Sequence, residues 1–280
     1  MSEAVFRPDS AIRRIGGEAV LMLGGGRALL MQAAHPLVAA GIVQHSRYAD
    51  EPWRRLARTM LALYTVVHGT TADAERVSRQ VRAVHGAVRG RIRVRAGRYR
   101  AGTEYSALDP ALQLWVHSTL VDTGLVMYET FVARLAAAEQ EDFYQDMKVV
   151  ARVFGVPAHI IPPTLSDFRT YQRDCVDREK VVVTDAARAV AATVLDPPVP
   201  LALRPAVRVL NLATLGLLPR PLREQYGLPW SRAHDALLRS SAAAVRRGLP
   251  LLPSQVRLLD PEDLSRRRKA RPLGLLAAYG

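Results

Sequence analysis

Hydrophobic positions along this chain recur mostly at the three- and four-residue spacing of amphipathic helices, and the alternating pattern of strands is scarce. A long helix is predicted from Thr70 or Thr71 to about residue 89, closed by Gly90. The best candidate for a strand is residues 91–100, read as a short ribbon or a basic loop. We therefore predict an all-α fold in one domain over residues 1–280. The helical spacing is plainest in a valine stripe: Val77, Val81, Val84 and Val88.

Capping residues and prolines set the other predicted boundaries. Asp109 followed by Pro110 is an N-cap with a first-turn proline, and it opens a helix that is apolar on nearly all sides, which predicts burial in the core. Ser166 is expected to cap a later helix, and Pro36 to bend a helix over residues 27–45. Further helices are predicted at 9–24, 53–67, 137–154, 184–195, 201–218 and 231–247.

The chain is strongly basic, with a formal net charge of +13 carried mostly by arginine. Such a charge favours anionic partners. The arginines are scattered and only 6% of residues are aromatic, which argues against a nucleic-acid-binding surface. Two denser clusters, 91–100 and 266–271 in the basic tail 262–280, are candidates for contact with an anionic membrane surface.

Two features bear on location and on covalent chemistry. Arg13 and Arg14 precede an apolar run, but Glu18, Arg27 and three glycines interrupt it well short of the roughly 20 residues that span a bilayer. We therefore expect a cytoplasmic protein. Cys175 is the only cysteine, so the chain forms no internal disulfide and has no motif for covalent haem attachment.

Seven histidines are present, and no two share the i, i+4 spacing of a helical metal pair. A zinc or di-iron site is therefore poorly supported, whereas a haem held by one histidine asks for less. His85 lies beside the valine stripe, and His117 lies in an apolar stretch where it needs a partner such as Asp122 or a backbone carbonyl. From the residues alone, a hydrogen-bonded core histidine is the more common interpretation of both.

A third group of candidate residues lies on the predicted helix 53–67. Arg55 and Thr59 share a helix face, and Tyr64 and His68 follow one to two turns later. An arginine against a haem could pair with a propionate carboxylate through two hydrogen bonds. A solvated arginine explains the same letters equally well.

Five motifs occur in a characteristic order. They are Gly26 to Gly41 (GRALLMQAAHPLVAAG), His45-Ser46, Arg55 to Thr59 (RLART), Val84 to Gly90 (VHGAVRG) and Trp115 to Asp122 (WVHSTLVD). With these motifs the chain resembles, over about residues 12–240, the MpaB-like or rubber oxygenase (latex clearing protein) catalytic-domain family, long catalogued as a domain of unknown function.

The resemblance implies a globin-like helical fold enclosing a b-type haem, and oxidative attack by dioxygen on a lipophilic substrate, isoprenoid in known members. It also implies that His85 is the iron ligand and that Arg55 and Thr59 belong to the haem surroundings. The residue matched by His117 is a family signature, to which we assign either a supporting role beside the haem ligand or a structural role.

Two departures from the family pattern bear on the reaction. A lysine that can cap the iron in the rubber enzyme is replaced here by Arg58, whose guanidinium is a poor iron ligand but could polarise bound dioxygen. A glutamate proposed as the catalytic base has no counterpart at residues 37–41, and Glu51 is only a loose candidate. The leading hypothesis is a haem b oxygenase. The rivals are a haem carrier or sensor without turnover, and a helical membrane-surface protein without haem.

Overall fold

The computed structural model describes residues 3–45 and 52–259, and the side chains of residues 52–57 lie outside that description. Within these ranges the predicted all-α fold is confirmed. The helices are α1 (Ala11–Gly16), α2 (Gly25–Ala33), α3 (Pro36–His45), α4 (Pro52–His68), α5 (Thr71–Ala87), α6 (Pro110–Phe131), α7 (Ala137–Val153), α8 (Leu165–Asp177), α9 (Asp185–Leu195), α10 (Arg204–Leu217), α11 (Arg220–Gln225), α12 (Arg232–Gly248) and α13 (Ser254–Arg257).

The segment predicted as a ribbon or basic loop is mostly loop. Strand β1 (Arg89–Arg91) pairs antiparallel with β2 (Glu104–Ser106), and Gly90 stands opposite Tyr105. The intervening residues 92–103 connect the two strands, with Val94 68% exposed among arginines. The ribbon is therefore shorter than predicted and begins two residues earlier.

Local hydrogen bonds explain where the helices begin. The Thr70 hydroxyl accepts from the Asp73 backbone N–H at 3.2 Å, and the Asp73 carboxylate accepts in return, which makes a capping box at α5. The Asp109 carboxylate caps α6 as predicted. The expected cap at Ser166 is wrong, because Thr164 and Asp167 form a capping box two residues earlier.

Helix α6 divides the core into two halves. On one side Trp115 packs in a cluster built mainly from α2, α3 and α9, which we call the α2–α3–α9 half. On the other side Val121 packs in a cluster with α1, α4, α5 and α7, which we call the α4–α7 half. Twelve residues of α6 are buried, which confirms the core position predicted for this apolar helix.

Pro36 breaks the predicted helix over residues 27–45 rather than bending it. Helix α2 ends at Ala33, and the chain turns by 109° between the segments 19–33 and 36–45. Taken together, these two segments have the length and composition of a broken membrane span, although most of their large side chains are buried in the core. No single helix in the described ranges is long and apolar enough to cross a membrane.

Candidate functional site

Helices α4 and α5 form a hairpin that brings two predicted site residues to the same end. The connection is only Gly69 and Thr70, so positions at similar distances from it lie side by side. At about 1.5 Å per residue, Arg58 lies ~15 Å and His85 ~21 Å from the connection. Both residues are therefore toward the open end of the hairpin. Arg55 lies one turn before Arg58 in α4, and its side chain is outside the described residues.

The polar atoms on this hairpin differ in their exposure. The Nε and Nη2 atoms of Arg58, the hydroxyl of Tyr64 and the Nδ1 atom of His85 are shielded from solvent, although His85 as a whole is only half-buried. The Thr59 side chain is exposed. Positive charge and an imidazole nitrogen are thus held inside the hairpin's open end, while Thr59 contacts solvent.

His117 lies on α6, facing α7, and is 8% exposed. Its Nε2 atom is buried and has no hydrogen-bond partner among the described residues. Burial lowers the pKa of His117 to about 4, while the backbone of Met147 on α7 acts in the opposite direction. The imidazole is therefore neutral at physiological pH, and it has a buried polar atom with no ligand from the described chain.

A set of close approaches connects the surroundings of His85 and His117. Ser78 on α5 donates to the Val153 carbonyl at the end of α7. Just beyond, a Cβ atom at Gly155 would come within 2.9 Å of Arg82 Nη2 and 3.8 Å of Gln113 Oε1. His85 is three residues after Arg82, and His117 is four residues after Gln113. Each histidine is thus about one helical turn from this junction. We call this part of the α4–α7 half the two-histidine region.

His68 lies at the closed end of the hairpin, and its ring has different surroundings from those of His85 and His117. Its ring stacks on Tyr64 with 4.3 Å between ring centroids. Burial, and secondarily the charge of Arg13, lowers the pKa of His68 to about 4. The Arg13 guanidinium also donates to the carbonyls of Val67 and His68, which ties α1 to the end of α4. These contacts make His68 part of the packing that holds the hairpin.

A buried ion pair that the sequence interpretation missed anchors α2 to α6. Arg27, 2% exposed, donates to the Asp122 carboxylate at 2.5 Å, to the Thr123 hydroxyl at 2.6 Å and to the Leu217 carbonyl at 2.7 Å. Asp122, which the sequence offered as a possible partner of His117, is therefore paired with Arg27 instead. A lone arginine and a lone aspartate, each inside an otherwise apolar helix, were the signal that could have predicted the pair.

The second missed contact involves His35, which lies in the first family-like motif. The Leu37 backbone N–H donates to His35 Nδ1 at 3.3 Å, so the ring proton is on Nε2 and is donated to the Tyr99 hydroxyl at 3.0 Å. Burial, and then the charge of Lys180, lowers the pKa of His35 to about 4. Both ring nitrogens are satisfied, which makes this histidine a structural one.

Comparison with known proteins identifies a family for this chain. The family model described as the ER-bound oxygenase mpaB/B′ and rubber oxygenase catalytic domain matches residues 12–247. This chain belongs to that family. Uncharacterised proteins from Mycobacterium tuberculosis and Mycobacterium bovis are each 27% identical to it over 232 residues, covering 80% of this chain and 87% of theirs. No solved structure matches it.

The mpaB and rubber oxygenase motifs fall into two groups in this fold. The first motif and the end of the last build the α2–α6 anchor, through Arg27 and Asp122. The motifs at residues 55–59 and 84–90 place Arg58 and His85 on the α4–α5 hairpin, and the last motif also places His117 on α6; Ser46 of the second motif lies outside the described residues. Across the described residues, no group of three histidine, cysteine or acidic side chains is arranged to hold a metal ion by itself.

Proposed function

We propose that this chain is a haem b-dependent oxygenase acting on a lipophilic substrate, with His85 as the iron ligand. Family membership supports the oxygenase class. The observation that carries the haem proposal is His117 Nε2, a buried polar atom without a partner in an apolar surrounding. Burying such an atom costs stability, and native proteins rarely keep one unless a bound group or water satisfies it.

The residues present fit a non-covalently bound haem. His85 offers an imidazole on a helix with one nitrogen shielded from solvent, and Arg58 brings a positive charge that suits a propionate carboxylate. Arg55 is proposed to add a second charge, and the absence of a second cysteine rules out a thioether link to two cysteines. When bound, haem would supply the iron at which dioxygen is activated.

The chain's own groups define what can happen beside such a cofactor. With its pKa near 4, His117 is neutral at pH 7 and offers either one N–H or one lone pair. The Arg58 guanidinium has N–H donors and no acceptor, so it can orient or polarise a bound molecule but is not suited to act as a base. The apolar core cluster beside His117 excludes water and favours a lipophilic substrate. The loose candidate for a base, Glu51, lies outside the described residues, and Thr59 is proposed to act from the exposed edge.

The first experiment measures haem binding directly. Purified protein, supplemented with haemin if needed, is expected to show a Soret band, and pyridine haemochrome analysis to identify haem b. His85→Ala should abolish haem retention, whereas His117→Ala should keep at least part of it. The exposed His159→Ala is the matched control and should bind as the parent does. No Soret band after supplementation would overturn the proposal, and the reverse pattern of the two variants would reassign the ligand.

A second experiment distinguishes an oxygenase from a haem carrier or sensor. Reduced protein is mixed with dioxygen and isoprenoid test compounds, and products are identified by mass spectrometry. An oxygenase should consume dioxygen and yield an oxidised product. Stable oxygenated protein with no product from any compound would favour the carrier.

A further inference from the structure

The exposed aliphatic side chains of this protein are concentrated in its last quarter. Twelve large aliphatic residues of the described chain are exposed, and eight of them lie between residues 201 and 258. Leu201 is 78% exposed, Leu203 52%, Val209 65% and Leu251 83%. Single exposed leucines are ordinary on protein surfaces, but a group of this size indicates an interaction surface.

Helix packing brings four of these residues, Leu201, Leu203, Val209 and Leu251, to one end of the molecule. A Cβ atom at Gly216, near the end of α10, would come within 2.5 Å of the Leu238 side chain, near the start of α12. Ala213, earlier on α10, packs in the same cluster as Ala242, later on α12. The two helices therefore run antiparallel. As a result, the start of α10 and the preceding turn Leu201–Leu203 lie beside the end of α12 and Leu251.

The charges at this end are mostly positive, although the exposed Asp196 lines the same surface pocket as Arg204. Residues 197–223 contain four arginines and no acidic residue, and residues 236–259 contain another four arginines and again no acidic residue. Arg204 and Arg208 are exposed between Leu203 and Val209, and Arg247 is exposed at the end of α12. Asp196 is the acid that precedes the first segment. We call this surface the apolar–basic end: Leu201, Leu203, Val209, Leu251, Arg204 and Arg208.

We propose that the apolar–basic end is a docking surface for an anionic phospholipid membrane. Exposed leucine and valine between arginines is the composition that inserts into the boundary between headgroups and acyl chains while the guanidinium groups pair with lipid phosphates. A twofold dimer through this surface would bring arginines against arginines. Nucleic acid would leave the leucines unpaired. The inference does not depend on haem binding.

This surface differs from the basic cluster at residues 91–100; the other cluster predicted from the sequence, residues 266–271, lies outside the described residues. Residues 91–100 carry one exposed large aliphatic side chain, Val94, and Arg91 is already paired with Glu104 at 2.5 Å. The apolar–basic end combines several exposed aliphatic side chains with arginines, and Asp196 lies beside Arg204 at its edge. Membrane docking at this end would also bring the protein to the phase in which lipophilic molecules are dissolved.

Vesicle co-sedimentation tests the proposal with the full chain. Large vesicles of phosphatidylcholine and phosphatidylglycerol, about 3:1, should pellet the protein, and vesicles of phosphatidylcholine alone should pellet much less. Leu201→Asp with Leu203→Asp should lower partitioning at least ~10-fold, and Arg204→Gln about fivefold. The matched control Val94→Asp, an equally exposed aliphatic residue in the other basic cluster, should keep full binding.

A direct readout separates insertion from simple charge attraction. Cys175 is buried and is the only cysteine, so a cysteine introduced at Leu203 is the thiol that reacts with an environment-sensitive fluorophore. Its emission should shift to the blue on anionic vesicles, whereas the same label at exposed Arg79 on α5 should not shift. Equal pelleting of parent and double variant, loss only in Val94→Asp, or self-association without vesicle binding would each overturn the proposal.

Discussion

Two buried histidines, one in each half of the core, show the difference between a structural and a functional position. His35 and His117 are both held neutral by burial, which lowers each pKa to about 4. His35 has a partner at each ring nitrogen, whereas the Nε2 atom of His117 has none. The α2–α3–α9 half is thus internally complete, and the two-histidine region has a hydrogen-bonding position that the described chain leaves open.

The largest expected loss of stability comes from the Arg27–Asp122 ion pair, in the α2–α3–α9 half. Arg27→Ala removes three hydrogen bonds and leaves the Asp122 carboxylate partly buried without its counter-ion, so the free energy of unfolding should fall by about 3–5 kcal/mol. Urea unfolding followed by circular dichroism measures it. Arg14→Ala breaks an exposed pair with Glu139 and is the control, with a loss below about 1 kcal/mol. Similar losses in both variants would contradict the assigned anchor.

Acid should destabilise the fold through the two buried histidines, His35 and His117. Below about pH 6.5 the unfolded chain binds protons that the folded chain refuses until about pH 4, so the free energy of unfolding falls as pH falls through this window. Each histidine contributes about 1.4 kcal/mol per pH unit. Unfolding measured from pH 7 to pH 4 should therefore show a smaller slope for His117→Leu than for the parent protein. An unchanged slope would mean that the pKa of His117 is the same in the folded and the unfolded chain.

A smaller effect is expected from removing the Tyr99 hydroxyl, which accepts a hydrogen bond from His35 Nε2. Tyr99→Phe leaves the His35 Nε2–H buried without an acceptor, which should cost about 1–3 kcal/mol. Tyr105→Phe, whose hydroxyl donates to the exposed Gln44, is the matched comparison and should cost less. Thermal unfolding of the two variants decides, and equal costs would show that solvent reaches His35.

The smallest effect on stability should come from replacing His117, whose Nε2 atom has no partner among the described residues. His117→Leu replaces the unsatisfied Nε2 atom with an apolar side chain but also removes the ring's hydrogen bond with the Met147 backbone, so the stability of the haem-free protein should change by less than about 1 kcal/mol. Haem affinity should fall at the same time. A clear loss of stability without haem would show that His117 has a structural partner, and the contrast with His35 would disappear.

Sequence patterns predicted the helices well where the determining contacts are local. The caps at Thr70, one of two threonines predicted, and at Asp109 depend on residues within four positions of the helix start, and the structure has both. Ser166 failed because two nearby hydroxyl residues compete, and only Thr164 has an acid three residues later. Local pattern identified the candidate residues, but the family resemblance ranked His85 above His117 as the ligand.

Long-range polar contacts could not be predicted in the same way. Arg27 and Asp122 are 95 residues apart, and His35 and Tyr99 are 64 residues apart. No spacing rule connects such residues, because their proximity is decided by how α2 and α3 pack against the rest of the core. The open nitrogen of His117 also depends on packing, since it appears only once Asp122 is known to be engaged by Arg27.

An ion pair and a backbone hydrogen bond join the two ends of the described chain, and they bear on where the folding unit ends. Glu18 is 3% exposed, and Arg257 donates to its carboxylate from Nε and Nη2, while the Leu259 backbone N–H donates to the Gly17 carbonyl at 2.8 Å. The family match ends ten residues before Arg257, at residue 247. A chain trimmed to that boundary for expression would bury an anion with no counter-charge, so the shortest stable version of this protein should extend to residue 259.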